Sequence, residues 1–392
     1  MAARKLDIVV IGGGLSGGLV ALALHRARPD LALTLIEAGE DLGGNHRWSW
    51  FASDVDEAGE ALLAPFRKTA WETGYDVRFP RLTRHLGTPY RSLASADFAA
   101  ALSRELPEGT IRLRREAASM DAGGVVLAGG EEIAARTVID CRGTANPPHL
   151  ACGWQVFMGR HMRLAAPHGL DCPTIMDAAV PQDNAYRFVY VLPLSSHEIF
   201  VEDTYYADSP VLDRTALSQR IDAYCAARGW HGEPLDHETG VLPVVTGGDF
   251  AAFQAAQRIE GVAIAGTRGG FAHPLTSYSL PFAVQTALAI AADADLPGSQ
   301  LAAMLEARAR AHWKATRFYR TLGRMLFGAG APGQRYRVFE RFYTLPEPLI
   351  ERFYAGRSTV TDRLRVLCGR PPVPLSGAIR ALAGGPAQRQ AA

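Results

Sequence analysis

A short apolar run, Ile8-Val9-Val10-Ile11, leads into Gly12-Gly13-Gly14, and an amphipathic stretch from Leu19 to Arg28 follows. Apolar at every position and closed by glycines, the run predicts a strand buried on both faces. The stretch behind it has a helical period. A second apolar run, Leu31 to Ile36, predicts the next strand and ends at Glu37. Farther on, Phe98 to Leu106 reads as a helix, and Thr110 to Leu113, Gly124 to Leu127 and Thr137 to Asp140 read as short strands. From about Gln155 the pattern changes to alternation. Arg187 to Leu192 and Glu198 to Thr204 predict two strands joined by a turn at Pro193 to His197. Residues 211–229 read as a helix, and Val262 to Gly266 as another buried strand. A glycine-rich loop and a long helix from about Leu280 follow, and residues 297–383 are mostly helical.

The opening elements carry a specific piece of chemistry. Gly12, Gly14 and Gly17 occupy the three places of a G-x-G-x-x-G motif, and Glu37 stands twenty residues beyond Gly17. In a dinucleotide site the first glycine permits the tight turn, the second lets the backbone approach a pyrophosphate, and the third lets helix and strand pack closely. The helix start, with Leu15 and Ser16, offers free N–H groups to that pyrophosphate. Glu37 is placed to accept from a ribose hydroxyl and would repel the extra phosphate of NADP. A second glycine pair, Gly43-Gly44, follows closely. This placement resembles FAD enzymes of the glutathione-reductase structural class. The expected fold is therefore α/β: a glutathione-reductase-like, FAD-binding Rossmann domain with an inserted β-rich substrate domain and a helical C-terminal part. The expected division is 1–80 for the first part of the FAD domain, 81–150 for its continuation and 151–255 for the β-rich domain. Residues 256–300 complete the FAD domain, 301–383 are helical and possible membrane contacts, and 384–392 form a disordered tail.

Composition narrows the class. The 392 residues are 48% hydrophobic and 21% charged, ordinary for a globular protein with a large core. A net charge of +1 argues against nucleic acid as a partner. Five cysteines without a C-x-x-C pair make disulfides and a zinc site unexpected and suit a reducing cytoplasm.

Other segments are candidates for chemistry. Gly43 to Trp50 packs His46, Arg47, Trp48 and Trp50 into one loop, which suits a cofactor or substrate contact better than a bare surface turn. Gly266 to Pro281 places Gly266 and Gly270 after a strand and Thr276, Ser277 and Ser279 ahead of a helix. Those residues serve either a flavin or an ordinary helix cap. The run resembles the late flavin-binding element of aromatic hydroxylases, with Thr267 where those enzymes carry Asp. On the strand from Glu198, alternation puts Phe200, Glu202, Thr204 and Tyr206 on one face and Asp203 on the other. A carboxyl among aromatic rings is a usable acid, but the same pattern also fits a solvated edge. Met176-Asp177-Ala178 reads as a turn. From Arg308 to Phe327 a helical wheel gathers Arg310, Lys314, Arg317, Arg320 and Arg324 on one side, a face suited either to water or to an anionic membrane.

Taken together these runs resemble the bacterial lycopene β-cyclases, from Gly12 to about Pro374. The resemblance rests on the first glycine motif and Asn45-His46-Arg47-Trp48-Ser49-Trp50. It also rests on Asp140-Cys141-Arg142-Gly143, Gly153-Trp154-Gln155, Pro173-Thr174-Ile175-Met176-Asp177 and the strand from Tyr186 to Pro193. Val201-Glu202-Asp203-Thr204 matches the family's acidic motif. His273 to Pro281 matches His-Pro-Thr-Thr-Gly-Tyr-Ser-Leu-Pro, with Leu275 and Ser277 as departures. Leu326-Phe327-Gly328 and Arg341-Phe342-Tyr343 fit the helical end.

The resemblance implies an acid-catalysed, non-redox ring closure of lycopene and related acyclic carotenoids to β-ionone ends, giving β-carotene by way of γ-carotene. It implies reduced FAD, with NADPH as reductant. It points to Glu202 as the acid, with Asp203 and His273 as further catalytic residues. Gly12, Gly14, Leu15, Ser16, Gly17, Glu37, Arg47, Asp140, Gly266, Gly270 and Ser277 would hold the cofactor. Because lycopene is insoluble, peripheral attachment to the inner face of the cell membrane is expected, beside other carotenoid-pathway enzymes. The competing expectations are a flavin monooxygenase of an aromatic or isoprenoid substrate and a non-enzymatic isoprenoid carrier of the same fold.

Overall fold

The computed structural model describes residues 6–144 and 146–368. The expected tail, 384–392, lies outside them. Two seven-stranded sheets organise the chain. In the first, Leu6–Ile11 lies in parallel between Leu33–Ile36 and Glu132–Asp140, with Ile111–Arg112 beyond Leu33–Ile36. Val9 and Val10 are fully buried on opposite faces, Val10 against the helix Leu15–Ala27 and Val9 in a cluster with Val125, Leu127 and Ile133, as a strand covered on both sides requires. The far end of Glu132–Asp140 pairs in parallel with Ala263–Ile264, and its near end joins the antiparallel ribbon of Gly124–Leu127 and Ala117–Asp121. Helix Leu280–Ala292 packs on helix Leu15–Ala27. Gly18 permits close packing on that first helix, since a Cβ there would stand 2.4 Å from the Phe98 ring. Chain from near residue 265 to 292 thus returns to the opening strand and helix.

The second sheet runs Gly232–Gly248, Leu150–Leu164, Glu198–Ala207, Tyr186–Pro193, Thr174–Asp177, Tyr75–Phe79 and Leu82–Leu86. Strands 75–79 and 82–86, expected with the nucleotide-binding half, pair here instead. The sheet's edge strand, Gly232–Gly248, has no counterpart in the sequence reading. Pro234, Gly240 and Pro243 interrupt its alternation, which hides a strand from pattern alone. It is held by pairing with Leu150–Leu164 over nearly its whole length. Aromatic side chains on one face of the sheet, among them Tyr186, Phe188 and Tyr206, form a core with Tyr319, Leu326, Phe342 and Phe353 of the C-terminal helices.

Those helices correct one expectation. The basic stretch is not one helix: Gly298–Ala315 ends at Thr316, and Arg317–Ala329 starts a new one. Arg320 is buried, with its guanidinium 3.5 Å from the centre of the Trp313 ring and donating to Thr316 Oγ1 at 2.8 Å. Its charge is used internally, so the five-residue basic face does not exist. Among the described residues no helix is long and apolar enough to cross a membrane.

Candidate active site

The two sheets converge on a cavity of about 340 Å³. The first half contributes Gly14, Leu15, Ser16, Gly43, Cys141, Gly143, Gly266 and Thr267. The second contributes Gln155, Phe157, Tyr190, Phe200, Glu202 and Glu238. Residues 46–49, Tyr90 and residues 276–280 also line it.

At the first end the glycines divide the labour. Gly12 adopts φ +94°, a conformation open mainly to glycine. A Cβ on Gly17 would lie 1.9 Å from the Gly12 carbonyl oxygen, so helix and turn meet only because it is absent. A Cβ on Gly14 would meet nothing within 4 Å, because that face looks into the cavity. The helix that begins at Leu15 has no side-chain cap, which leaves its first N–H groups available. Ser16 Oγ is buried there without a hydrogen-bond partner, as is Thr276 Oγ1 on the facing wall. Gly266, at φ +64°, comes close to Ser16: a Cβ would stand 3.0 Å from the serine Cβ.

Several residues expected to hold the cofactor, Glu37, Asp140 and Gly270 among them, lie outside the cavity wall. Both oxygens of Glu37 are engaged, accepting from Gly13 N and Gly39 N at 2.6 Å each. Asp140 is fully buried and binds the Arg142 side chain at 2.8 and 2.9 Å. Arg268 Nε also approaches it, at 3.0 Å, so Asp140 braces the turn whose Cys141 and Gly143 reach the cavity. Gly270 is packed against Phe250, away from the cavity. Ser277, at φ +59°, lines the cavity and donates to the Pro243 carbonyl at 2.9 Å. The segment expected as a loop is a strand from Arg47 to Phe51, paired with Tyr90–Ala94; on it Trp48 lines the cavity while Trp50 is fully buried in the core.

At the second end, register sets the chemistry. Glu202 sits between Gly159 on one neighbouring strand and Tyr190 on the other. It is half-buried and lines the cavity with Phe200. Thr204 Oγ1 donates to it at 2.7 Å. Burial, and next the negative charge of Glu238, push its carboxyl up to about 8, against the pull of the threonine bond. Tyr90, Tyr190 and Tyr278 stand in the same wall, their hydroxyls 3.2 Å (Tyr90 to Tyr278) and 3.4 Å (Tyr190 to Tyr278) apart. Arg47 sits over the Phe200 ring, 5.4 Å from its centre. A carboxyl kept protonated near neutral pH, beside π-faces, can give a proton to an alkene and shelter the resulting cation.

Asp203 and His273 do not join it. Asp203 points to the opposite face, fully buried, where Arg187 donates from Nε at 2.9 Å and from a terminal nitrogen at 2.5 Å. His273 is fully buried behind the wall. Its Nδ1 accepts from Leu275 N and Thr276 N at 3.3 and 3.2 Å, and its Nε2 donates to the Phe353 carbonyl at 3.2 Å. Burial lowers this imidazole to about 3, so it stays neutral and holds a turn rather than moving a proton. Asp177 is likewise structural, accepting from Tyr224 Oη at 2.8 Å and Arg228 at 2.9 Å. Glu238 was missed because the strand that carries it was missed; no local signal marks it.

The family model described as lycopene cyclase protein matches residues 7–380. The chain is 45% identical to the lycopene beta-cyclase of Pseudescherichia vulneris over 376 residues, 96% of each chain. It is 42% identical to that of Pantoea ananas, over 96% of this chain and 97% of the relative. Among solved structures, a salicylate hydroxylase substrate complex superposes with a TM-score of 0.62 at 16% identity, covering 94% of this chain and 100% of the other. A variant of halogenase PltM in complex with FAD gives 0.59 at 13% identity, covering 90% and 82%. At such identities these two share the mixed α/β fold.

Proposed function

The chain belongs to the lycopene cyclase family, and from that premise we propose that it is a lycopene β-cyclase, an enzyme that isomerises the linear ends of lycopene to β-ionone rings. The observation that carries the reading is one shared cavity, with a bare glycine turn at one end and a raised carboxyl among aromatic rings at the other.

FAD is the cofactor we assign to the glycine end, in a Rossmann-type domain interrupted by the antiparallel sheet. The open face of Gly14, the uncapped helix start and the unpartnered Ser16 and Thr276 hydroxyls suit a diphosphate and its attached rings. Gly12, Leu15, Gly17 and Gly266 would shape that cradle, with Arg47 and Ser277 at its far side. Glu37 and Asp140 would support it from behind. Reduced FAD, regenerated by NADPH, would supply negative charge near the substrate cation without being consumed.

The protein's own groups perform the rest. Glu202 protonates the terminal double bond of an end group. The cation left on the tertiary carbon is attacked by the neighbouring double bond, closing a six-membered ring, and loss of a ring proton gives the β end. Phe157, Tyr190, Phe200 and Tyr278 exclude water and present π-faces. Peripheral contact with the cytoplasmic membrane face follows from the substrate's insolubility.

Parallel anaerobic and aerobic incubations with lycopene liposomes, FAD and NADPH, followed by product chromatography, test the reading. β-Carotene should form without oxygen uptake or stoichiometric NADPH loss. Oxygen-dependent hydroxylated product would replace the cyclase with a monooxygenase.

A further inference from the structure

A single row of residues crosses the antiparallel sheet at the cavity. Tyr190 pairs with Glu202, Glu202 with Gly159, and Gly159 with Glu238. Register partners on adjacent strands share a face, so both glutamates stand over the same surface, two strand spacings or about 10 Å apart at the backbone. Gly159 puts no side chain between them. The Phe200 ring occupies that space, since a Cβ on Gly159 would lie 2.2 Å from it. Both carboxyls line the cavity.

The two have opposite surroundings. Glu202 has one hydroxyl donor. Glu238 is only 6% exposed, yet its Oε2 accepts from Arg47 N at 3.0 Å and its Oε1 lies 3.3 Å from His46 Nδ1. The chain entering the strand Arg47–Phe51, which brings these two groups, is pinned to the strand of Glu238, where Asn45 donates to the His237 carbonyl. The titratable and charged side chains facing Glu238 are Glu202 across the row and the adjacent His46 and Arg47; Arg47 also faces Asp97 and Asp236. A buried carboxyl with little hydrogen bonding favours its neutral form, as at Glu202. Across the row Glu238 presents a second carboxyl to the same cavity, fixed by the Arg47 N–H and placed to receive a proton from a substrate lying over the row.

Resting on the cyclase reading above, we infer that Glu238 is the base that takes the ring proton from the cyclised cation, opposite the acid Glu202. The step balances. The Glu202 proton forms a new C–H bond. The pair of one double bond closes the ring C–C bond. The pair of the departing ring C–H bond becomes the new double bond, and its proton goes to Glu238. Glu202 is left as carboxylate and Glu238 as acid, and return of one proton restores both without oxidant or reductant. His46, with half of its side chain exposed, gives that proton a path to solvent.

The test uses the FAD-loaded enzyme, reduced FAD and lycopene liposomes. Absence of β ends with the wild-type protein defeats the underlying reading rather than this inference. Given wild-type activity, Glu238→Gln should retain FAD and lose about a hundredfold or more in turnover. Its residual products should include rings with the double bond displaced or with water added. Removing the nearby negative charge should also move the alkaline fall in rate to lower pH. Glu238→Asp keeps a carboxylate and should recover part of the rate with β ends only; it also decides the matter if the Gln variant does not fold. β ends at wild-type rate from Glu238→Gln overturn the inference. So does a slower Gln variant with unchanged products and pH profile, or an Asp variant no better than Gln.

Discussion

At the Gly12–Gly17 end of the cavity the acidic side chains are held by donors: Glu37 by two backbone amides and Asp140 by two arginines. At the Glu202 end a carboxyl stands with one hydroxyl donor beside a second carboxyl. On the function proposed above, the first end would grip FAD through backbone, with its acidic side chains paired behind it. The second holds a group away from its resting protonation state, which is how a fold stores reactivity. The same contrast recurs within two residues on one strand, where Asp203 is paired by Arg187 and Glu202 is not. Firm pairing fixes structure, and incomplete pairing leaves a proton to give.

The sharpest way to break the comparison is Glu202→Gln. It keeps size and hydrogen bonding but removes the acid, so FAD and lycopene binding should persist while turnover falls by roughly a hundred- to ten-thousand-fold. Wild-type β-carotene formation by that variant, in the chromatographic assay, would place the acid elsewhere. At the gripping end, Gly14→Val points a side chain into open cavity and should leave a folded protein without bound FAD. Gly17→Val would collide with the Gly12 carbonyl and should lose the fold. Absorbance at the flavin bands and circular dichroism separate the two, and normal flavin occupancy in the Gly14 variant would move the site.

Asp203→Ala tests pairing itself. Stranding the buried Arg187 should cost about 3–5 kcal/mol in stability, read by denaturant unfolding. A loss of activity with unchanged stability would instead make Asp203 part of the chemistry. A smaller effect concerns pH. Glu202 must be protonated to act, and burial raises its folded value well above the usual carboxylate range, so activity should persist at neutral pH and fall toward tenfold per unit on the alkaline side. A rate that keeps rising through that range would contradict the assignment. The smallest effect is expected at the membrane. Because Arg320 is buried and only residues such as Arg310 and Arg317 are exposed, reversing these two should weaken binding to anionic liposomes by about 1 kcal/mol each. No change in vesicle flotation would remove this region from the membrane contact.

Sequence determined what is local. The glycine turn needs residues within one strand, one helix start and the next strand end, so its spacing was readable from Gly12 to Glu37. Alternation from Phe200 to Tyr206 likewise fixed which face Glu202 and Asp203 take, since a strand reverses at every residue. Tertiary structure decided what depends on distant neighbours. Glu238 meets Glu202 only because an edge strand interrupted by proline and glycine pairs along Leu150–Leu164 in one register. His273 carries a catalytic-looking motif, but burial and three backbone partners make it a brace. The basic wheel dissolved for the same reason: a period of 3.6 assumes an unbroken helix, and Thr316 with its Arg320 and Trp313 contacts ends one helix and starts another. Spacing along the chain specifies geometry within an element, whereas which charges are buried, paired or left to react is set by the elements that pack against it.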